Sequence, residues 1–271
     1  MRRPGVRVKP IGSLSLNRMI PNILTLLALC AGMTAMRFAL SNKYESATVA
    51  IMLAAVLDGV DGRIARLLKG TSPFGAQLDS LSDFVSFGAA PAVMLYLWTM
   101  QDLKSFGWPV VLLFAVCSAM RLARFNAQIG AELPPYAYNF FTGVPAPAAA
   151  MLVMIPMFLT FEFGDGLFRS PYLSGIVVAG VAALMVSRVP TFSFKRVHLP
   201  IEWWPPVLLL TVGLVAFMTT EPWATLLAVE ALYIASIPLS IRSYRRLRRA
   251  AEALRSGVPH EEIEAADHPG L

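Results

Sequence analysis

Charge is scarce in this chain. Only 15% of its 271 residues are Asp, Glu, Lys or Arg, where a soluble domain carries about 25%. With 56% hydrophobic residues and a mean hydropathy of +0.60, that scarcity excludes a disordered chain and an ordinary soluble enzyme. Cysteine is nearly absent as well. Cys30 and Cys117 both lie inside apolar stretches, so they read as packed side chains. They supply neither a disulfide framework nor a Cys-x-x-Cys metal site. No internal repeat or low-complexity tract is visible. No small-residue cleavage site follows the first apolar stretch, which is also too long for a signal peptide.

What is abundant is apolar sequence in long blocks. A bilayer core about 30 Å thick takes roughly 20 mostly apolar residues per helix. Eight such blocks occur, near Met19–Leu40, Ser46–Leu68, Gln77–Met100, Trp108–Ala127, Thr142–Phe161, Pro171–Arg188, Pro205–Thr220 and Pro222–Tyr244. The expected fold class is therefore all-α: a polytopic integral membrane helical bundle of about eight transmembrane helices. Residues 1–18 read as a basic segment on the membrane surface, 19–245 as the transmembrane catalytic domain, and 246–271 as a polar tail.

The net charge of +6 invites a nucleic-acid partner, but the cations sort by topology. With eight spans, 19 of the 23 Lys and Arg residues fall on the side that holds both termini. Only Arg37, Lys43, Lys104 and Arg169 fall opposite. Positive residues favour the cytoplasmic side, so both termini are expected there, in a cell (inner) membrane, with no nucleic-acid partner.

The most informative window is Leu57–Phe84, LDGVDGRIARLLKGTSPFGAQLDSLSDF. Ionisable side chains inside spans are costly and mark function, and this window holds four: Asp58, Asp61, Asp79 and Asp83. Asp58 and Asp61 share one face of the second helix, three apart, and Asp79 and Asp83 one face of the third, four apart. The connection between the helices is short and contains Gly70 and Pro73, so the helices are expected side by side and antiparallel. Counting apolar residues at 1.5 Å per residue puts both pairs toward the cytoplasmic end of the bilayer core, about 18–22 Å from the far surface. Four facing carboxylates repel, and bound divalent cations relieve this. All-oxygen ligands favour Mg²⁺, Mn²⁺ or Ca²⁺ over zinc, and a two-cation site suits group transfer at a pyrophosphate. Gly59, Gly62 and Ala65 leave room for a ligand near the backbone, and Arg66 is placed to hold a phosphate. Buried pairing of the acids with Arg63 and Arg66 leaves four acids against two arginines. A cation-coupled transporter is the rival class, but these acids lie near one surface and no inverted repeat accompanies them.

The spacing Asp58-x2-Asp61-Gly62-x2-Ala65-Arg66-x8-Gly75-x3-Asp79-x3-Asp83 resembles the signature of the CDP-alcohol phosphotransferases, with every fixed position filled. The resemblance implies a membrane enzyme that moves a phosphatidyl or related group from a CDP-linked lipid to an alcohol and releases CMP. It implies that Asp58, Asp61 and Asp79 are metal ligands. Asp83 would contact a second metal and act as general base toward the acceptor hydroxyl. Gly62, Ala65, Arg66, Ser72 and Gly75 would line the CDP-lipid site, and Asn22 and Thr25, beside Pro21, would belong to the segment closing over the nucleotide. It also implies a homodimer.

Three further stretches resemble the bacterial and archaeal membrane-type phosphatidylserine synthases: residues 20–32 (IPNILTLLALCAG), 78–92 (LDSLSDFVSFGAAPA), and 121–126 (RLARFN) with 140–150 (FFTGVPAPAAA). That subfamily resemblance implies CDP-diacylglycerol and L-serine as substrates. Phosphatidylglycerophosphate synthase is the next alternative, then inositol or choline acceptors. A zwitterionic acceptor needs a cation for its carboxylate. Arg121 and Arg124, three apart on the fourth span, are the candidates, with Asn126 and Asn139 as polar contacts for the amine.

Overall fold

Two alanine-rich stripes build the centre of the molecule. A computed structural model describes residues 16–68, 72–128, 140–192 and 201–256. The first helix, α1 (Leu16–Leu40), lies along the second, α2 (Tyr44–Leu67). Ala28, Ala31, Ala35 and Ala39 of α1 are buried, as are Ala47, Ala50, Ile51 and Ala54 of α2. Lipid supplies no hydrophobic drive between helices, so small residues that let backbones approach hold such pairs together. Many bulky side chains point outward, as an apolar solvent allows: Leu26, Leu53, Val56, Leu81, Val116, Leu209 and Phe217 are exposed, while Phe87, Phe114 and Phe158 are fully buried.

Opposite this pair stands a helical rod running from Pro73 to Trp98. It comprises α3 (Pro73–Asp83), a π-helical stretch (Phe84–Ala89) and α4 (Ala90–Trp98). It begins four residues before the expected Gln77. Ser72 caps it, its hydroxyl accepting from the Gly75 amide at 3.0 Å, and Pro73 takes the first turn, where its missing N–H costs nothing. The rod is tied to α1 by two hydroxyls. Ser82 donates to the Thr25 carbonyl (3.0 Å) and Ser86 to the Ala28 carbonyl (3.1 Å). Gly32 permits this approach, since a Cβ there would stand 2.8 Å from the Cα of Ser86.

A 3₁₀ segment (Met100–Phe106) leads into α5 (Gly107–Ala127). The expected fifth span is broken. Helices α6 (Ala146–Val153) and α7 (Ile155–Phe163) meet at Met154 with a bend of 41°, where Pro156 removes a backbone donor at the start of α7. Next come α8 (Pro171–Val186), α9 (Trp204–Thr220) and α10 (Pro222–Ser256). A short antiparallel pair, β1 (Phe140–Thr142) with β2 (Pro190–Phe192), joins the start of α6 to the end of α8. Gly143 makes the turn into α6 with φ +78°, a left-handed conformation open to glycine.

Each of the eight apolar blocks thus coincides with a helix or helix pair. Four helical stretches, Met19–Leu40, Pro73–Trp98, Met100–Ala127 and Pro222–Glu252, are long and apolar enough to cross a membrane, and α6 with α7 is a fifth if the bent pair is one span. The chain is thus an all-α protein with several membrane-crossing helices. Helix α10 runs on to Ser256, past the expected boundary at residue 245. Its last turns are rich in Arg, Leu and Ala, which favour helix, and Arg248 pairs with Glu252 at 2.8 Å. The readings made for residues 1–15, for Asn139 and for the tail beyond Ser256 fall outside the described residues.

Candidate active site at the α1–α2–α3 junction

The sequence places two aspartates on each of two helices, and the packing of α2 and α3 against α1 brings them together. Carboxylate oxygens of Asp58, Asp61 and Asp79 all lie within 4.8 Å of one another. Asp83 faces Asp58, their carboxyl groups at hydrogen-bonding range. Asp61 is the most enclosed, only 4% exposed, and takes a 2.7 Å hydrogen bond from the Thr25 hydroxyl. The Pro21 carbonyl, 3.1 Å from the same hydroxyl, is the weaker, competing acceptor for its single hydrogen. The π-helical stretch starts at Phe84, directly after Asp83. Such insertions recur at functional sites, and here one stands between the acid cluster and the part of the rod packed on α1 and α5.

Beside the carboxylates opens a cavity of about 200 Å³, lined by Pro21, Asn22, Thr25, Asp61, Gly62, Ala65, Ser72, Gly75, Ala76 and Asp79. Every residue expected to hold the CDP-linked lipid is on this wall except Arg66. Arg66 sits exposed, its Nε donating to the Gly62 carbonyl at 3.0 Å. Ala76 is a wall residue that the motif does not flag. The glycines divide in purpose. A Cβ at Gly59 or Gly62 meets nothing within 4 Å, so both leave open space on the α2 face. A Cβ at Gly75 would stand 3.0 Å from Asn22 Oδ1 and 3.2 Å from Ser72 Oγ, so Gly75 lets α1 close against the start of α3.

The donor set suits a hard divalent cation. It consists of carboxylate oxygens in reach of one another, has no nitrogen or sulfur, and opens on a cavity.

The pair on α5 divides its work. Arg121 is 9% exposed, lies within electrostatic reach of Asp83, and its Nε has no hydrogen-bond partner among the described residues. Arg124 Nη1 instead donates to the Val186 carbonyl at 3.0 Å, covering a carbonyl that the end of α8 leaves unpaired. Asn126 is joined to Ser80, its amide donating at 2.8 Å, which ties α5 to the residue beside Asp79. Sequence reasoning passed over Tyr233 of α10, which lies within electrostatic reach of Arg121, and the buried Glu230 three residues before it. The signal was present: Glu230 is an acid inside an apolar helix.

Two comparisons bear on this arrangement. A family model described as CDP-alcohol phosphatidyltransferase matches residues 18–187, and one described as CDP-alcohol phosphatidyltransferase 2 matches residues 202–238. A Mycobacterium bovis protein named CDP-diacylglycerol–serine O-phosphatidyltransferase is 38% identical over 246 residues, covering 90% of this chain and 86% of the relative. A Helicobacter pylori protein of the same name is 34% identical over 218 residues, covering 80% and 88%. An archaetidylserine synthase of Methanothermobacter thermautotrophicus is 30% identical over 172 residues, covering 63% and 68%.

Proposed function

The chain belongs to the CDP-alcohol phosphatidyltransferase family, and from that premise we propose that it makes phosphatidylserine, transferring the phosphatidyl group of CDP-diacylglycerol to the hydroxyl of L-serine with release of CMP. The observation that carries the reading is the convergence of Asp58, Asp61, Asp79 and Asp83 at the edge of the cavity lined by Asn22, Thr25, Gly62, Ala65, Ser72 and Gly75. Membership in an enzyme family sets the transporter reading aside.

Asp58, Asp61 and Asp79 would hold one divalent cation, Mg²⁺ or Mn²⁺, and Asp83 would contact a second. Bound there, the cations neutralise the charge that builds on the pyrophosphate. The chain's own residues do the remainder. The cavity wall seats the cytidine diphosphate, and the open faces of Gly59 and Gly62 let its phosphates approach the α2 backbone. Arg66, at the mouth, offers a guanidinium to phosphate oxygens. Thr25 fixes the orientation of Asp61 through the 2.7 Å hydrogen bond. Asp83 accepts the proton of the serine hydroxyl, which attacks the phosphorus attached to diacylglycerol as the bond to CMP breaks. Arg121, within electrostatic reach of Asp83, binds the serine carboxylate. Arg124 and Asn126 support this wall by fixing α5 to α8 and α3. Catalysis of this kind rests on positioning and charge neutralisation.

The reading includes eight spans, both termini and the active site on the cytoplasmic side of the inner membrane, and a homodimer. The acyl chains stay in lipid while the headgroup enters the cavity from the side.

The test is an acceptor panel. The purified protein is incubated with CDP-diacylglycerol and Mg²⁺ or Mn²⁺, and separately with serine, glycerol-3-phosphate, inositol and choline. CMP release with serine is expected. Release only with another acceptor overturns the serine assignment, and none with any acceptor overturns the transferase.

A further inference from the structure

Five of the eight residues from Arg242 to Arg249 are arginines, and the reaction described above uses none of them. Helix α10 carries them to one depth. Its earlier part, residues 222–241, holds no Lys or Arg and a single acid, Glu230. At 1.5 Å per residue that part is roughly 30 Å long, the thickness of a bilayer core. The helix then continues to Ser256. Arg242 to Arg249 therefore occupy about the next 10 Å, the layer of lipid headgroups. This end of α10 is at the acid-bearing end of the bundle. Tyr233 lies within electrostatic reach of Arg121, and Arg121 within reach of Asp83. Tyr244 packs edge-on against Phe140 of β1, ring centroids 5.3 Å apart.

The arginines also share a face. At 100° per residue, Arg242, Arg245, Arg246 and Arg249 lie within an arc of about 100°, and all four are exposed. Leu247 and Ala251 fall on the opposite side. Among the described residues Arg242, Arg245 and Arg246 have no salt-bridge partner; the acid nearest in sequence, Glu252, pairs with Arg248. Like charges three and four apart repel, so the face calls for an anion from outside the chain. At headgroup depth the anions at hand are lipid phosphates. We propose that this face of α10 binds the headgroups of anionic phospholipids in the leaflet on the acid-bearing side. Membrane orientation by itself depends on how many cations stand at this end. It does not require them to line up on one exposed face. The lipid site is separate from the catalytic cavity and holds whichever acceptor alcohol the enzyme uses.

The test reconstitutes the full chain in phosphatidylcholine bilayers that contain a trace of spin-labelled phosphatidylglycerol or spin-labelled phosphatidylcholine. The motionally restricted part of each spectrum gives the preference of the protein for anionic over zwitterionic lipid. Wild type is expected to prefer phosphatidylglycerol at an ionic strength of about 0.1 M, and to lose most of that preference near 1 M, where charges are screened beyond about 3 Å. Changing Arg242→Gln, Arg245→Gln and Arg246→Gln together should cut the low-salt preference by about threefold. Placing Lys at the same three positions keeps the charge and should restore it. A wild type without preference overturns the proposal, as does a Gln variant that keeps the full preference. A Lys variant as weak as the Gln variant also overturns it, because charge is then not what binds. If the triple Gln variant does not fold, Arg245→Gln alone is held to the same measurement: a lower preference supports the proposal, and an unchanged one overturns it.

Discussion

The hydroxyl of Thr25 donates to Asp61 at 2.7 Å, joining α1 to the carboxylate cluster of α2. The same threonine offers its backbone carbonyl to Ser82 of α3 at 3.0 Å. One residue of α1 thus fixes both helices that carry the acids, and the wall of α1 that lines the cavity is coupled to the metal-ligand geometry.

Thr25→Val keeps the shape and deletes the hydrogen bond to Asp61. Partners that orient ligating groups contribute about 10- to 100-fold in metal affinity or activity. The divalent concentration giving half-maximal CMP release should rise by a factor in that range. An unaltered metal dependence in the folded variant would show that Asp61 needs no support from α1.

Asp83→Asn should remove turnover, with a loss of about 10²- to 10⁴-fold typical of a missing general base, while binding of CDP-diacylglycerol and of Mn²⁺ partly survives. Asp58→Ala and Asp79→Ala should behave differently, losing Mn²⁺ binding along with activity. Titration calorimetry with Mn²⁺ separates the two outcomes. Near-normal turnover in Asp83→Asn would sink the base assignment.

Gly32→Ala should destabilise the fold. The added Cβ would meet Ser86 Oγ at 2.5 Å and the Ser86 Cα at 2.8 Å, so the π-helical stretch must move away from α1. Overpacking of this kind costs about 1–3 kcal/mol, visible as a lower melting temperature in detergent. An unchanged melting temperature would contradict the tight contact described between α1 and the rod.

Gly75→Ala probes the cavity directly. Its Cβ would crowd Asn22 Oδ1 at 3.0 Å and Ser72 Oγ at 3.2 Å, pushing apart the two walls that face the nucleotide. The KM for CDP-diacylglycerol should rise while that for serine holds. A change confined to serine would place Gly75 on the wrong substrate.

The sequence by itself determined the solvent, the helices and the chemistry. Long apolar blocks with few charges demand helices in lipid, because unpaired backbone groups are prohibitive there. Four aspartates in a chain so sparing of charge mark the site, because an acid in a span is kept only for use. Local spacing, three or four residues apart, put each pair on one helix face. Tertiary structure alone decided what local spacing does not encode. The ties of the rod to α1 through Ser82 and Ser86 join residues 57 and 58 positions apart. The different fates of Arg121 and Arg124, alike in sequence, followed from their neighbours: one is buried within electrostatic reach of Asp83, the other bonds the Val186 carbonyl at the end of α8. The approach of Tyr233 to Arg121 spans over a hundred residues of chain. Contacts of that range are set by how whole helices lie against each other, and only the folded bundle contains them.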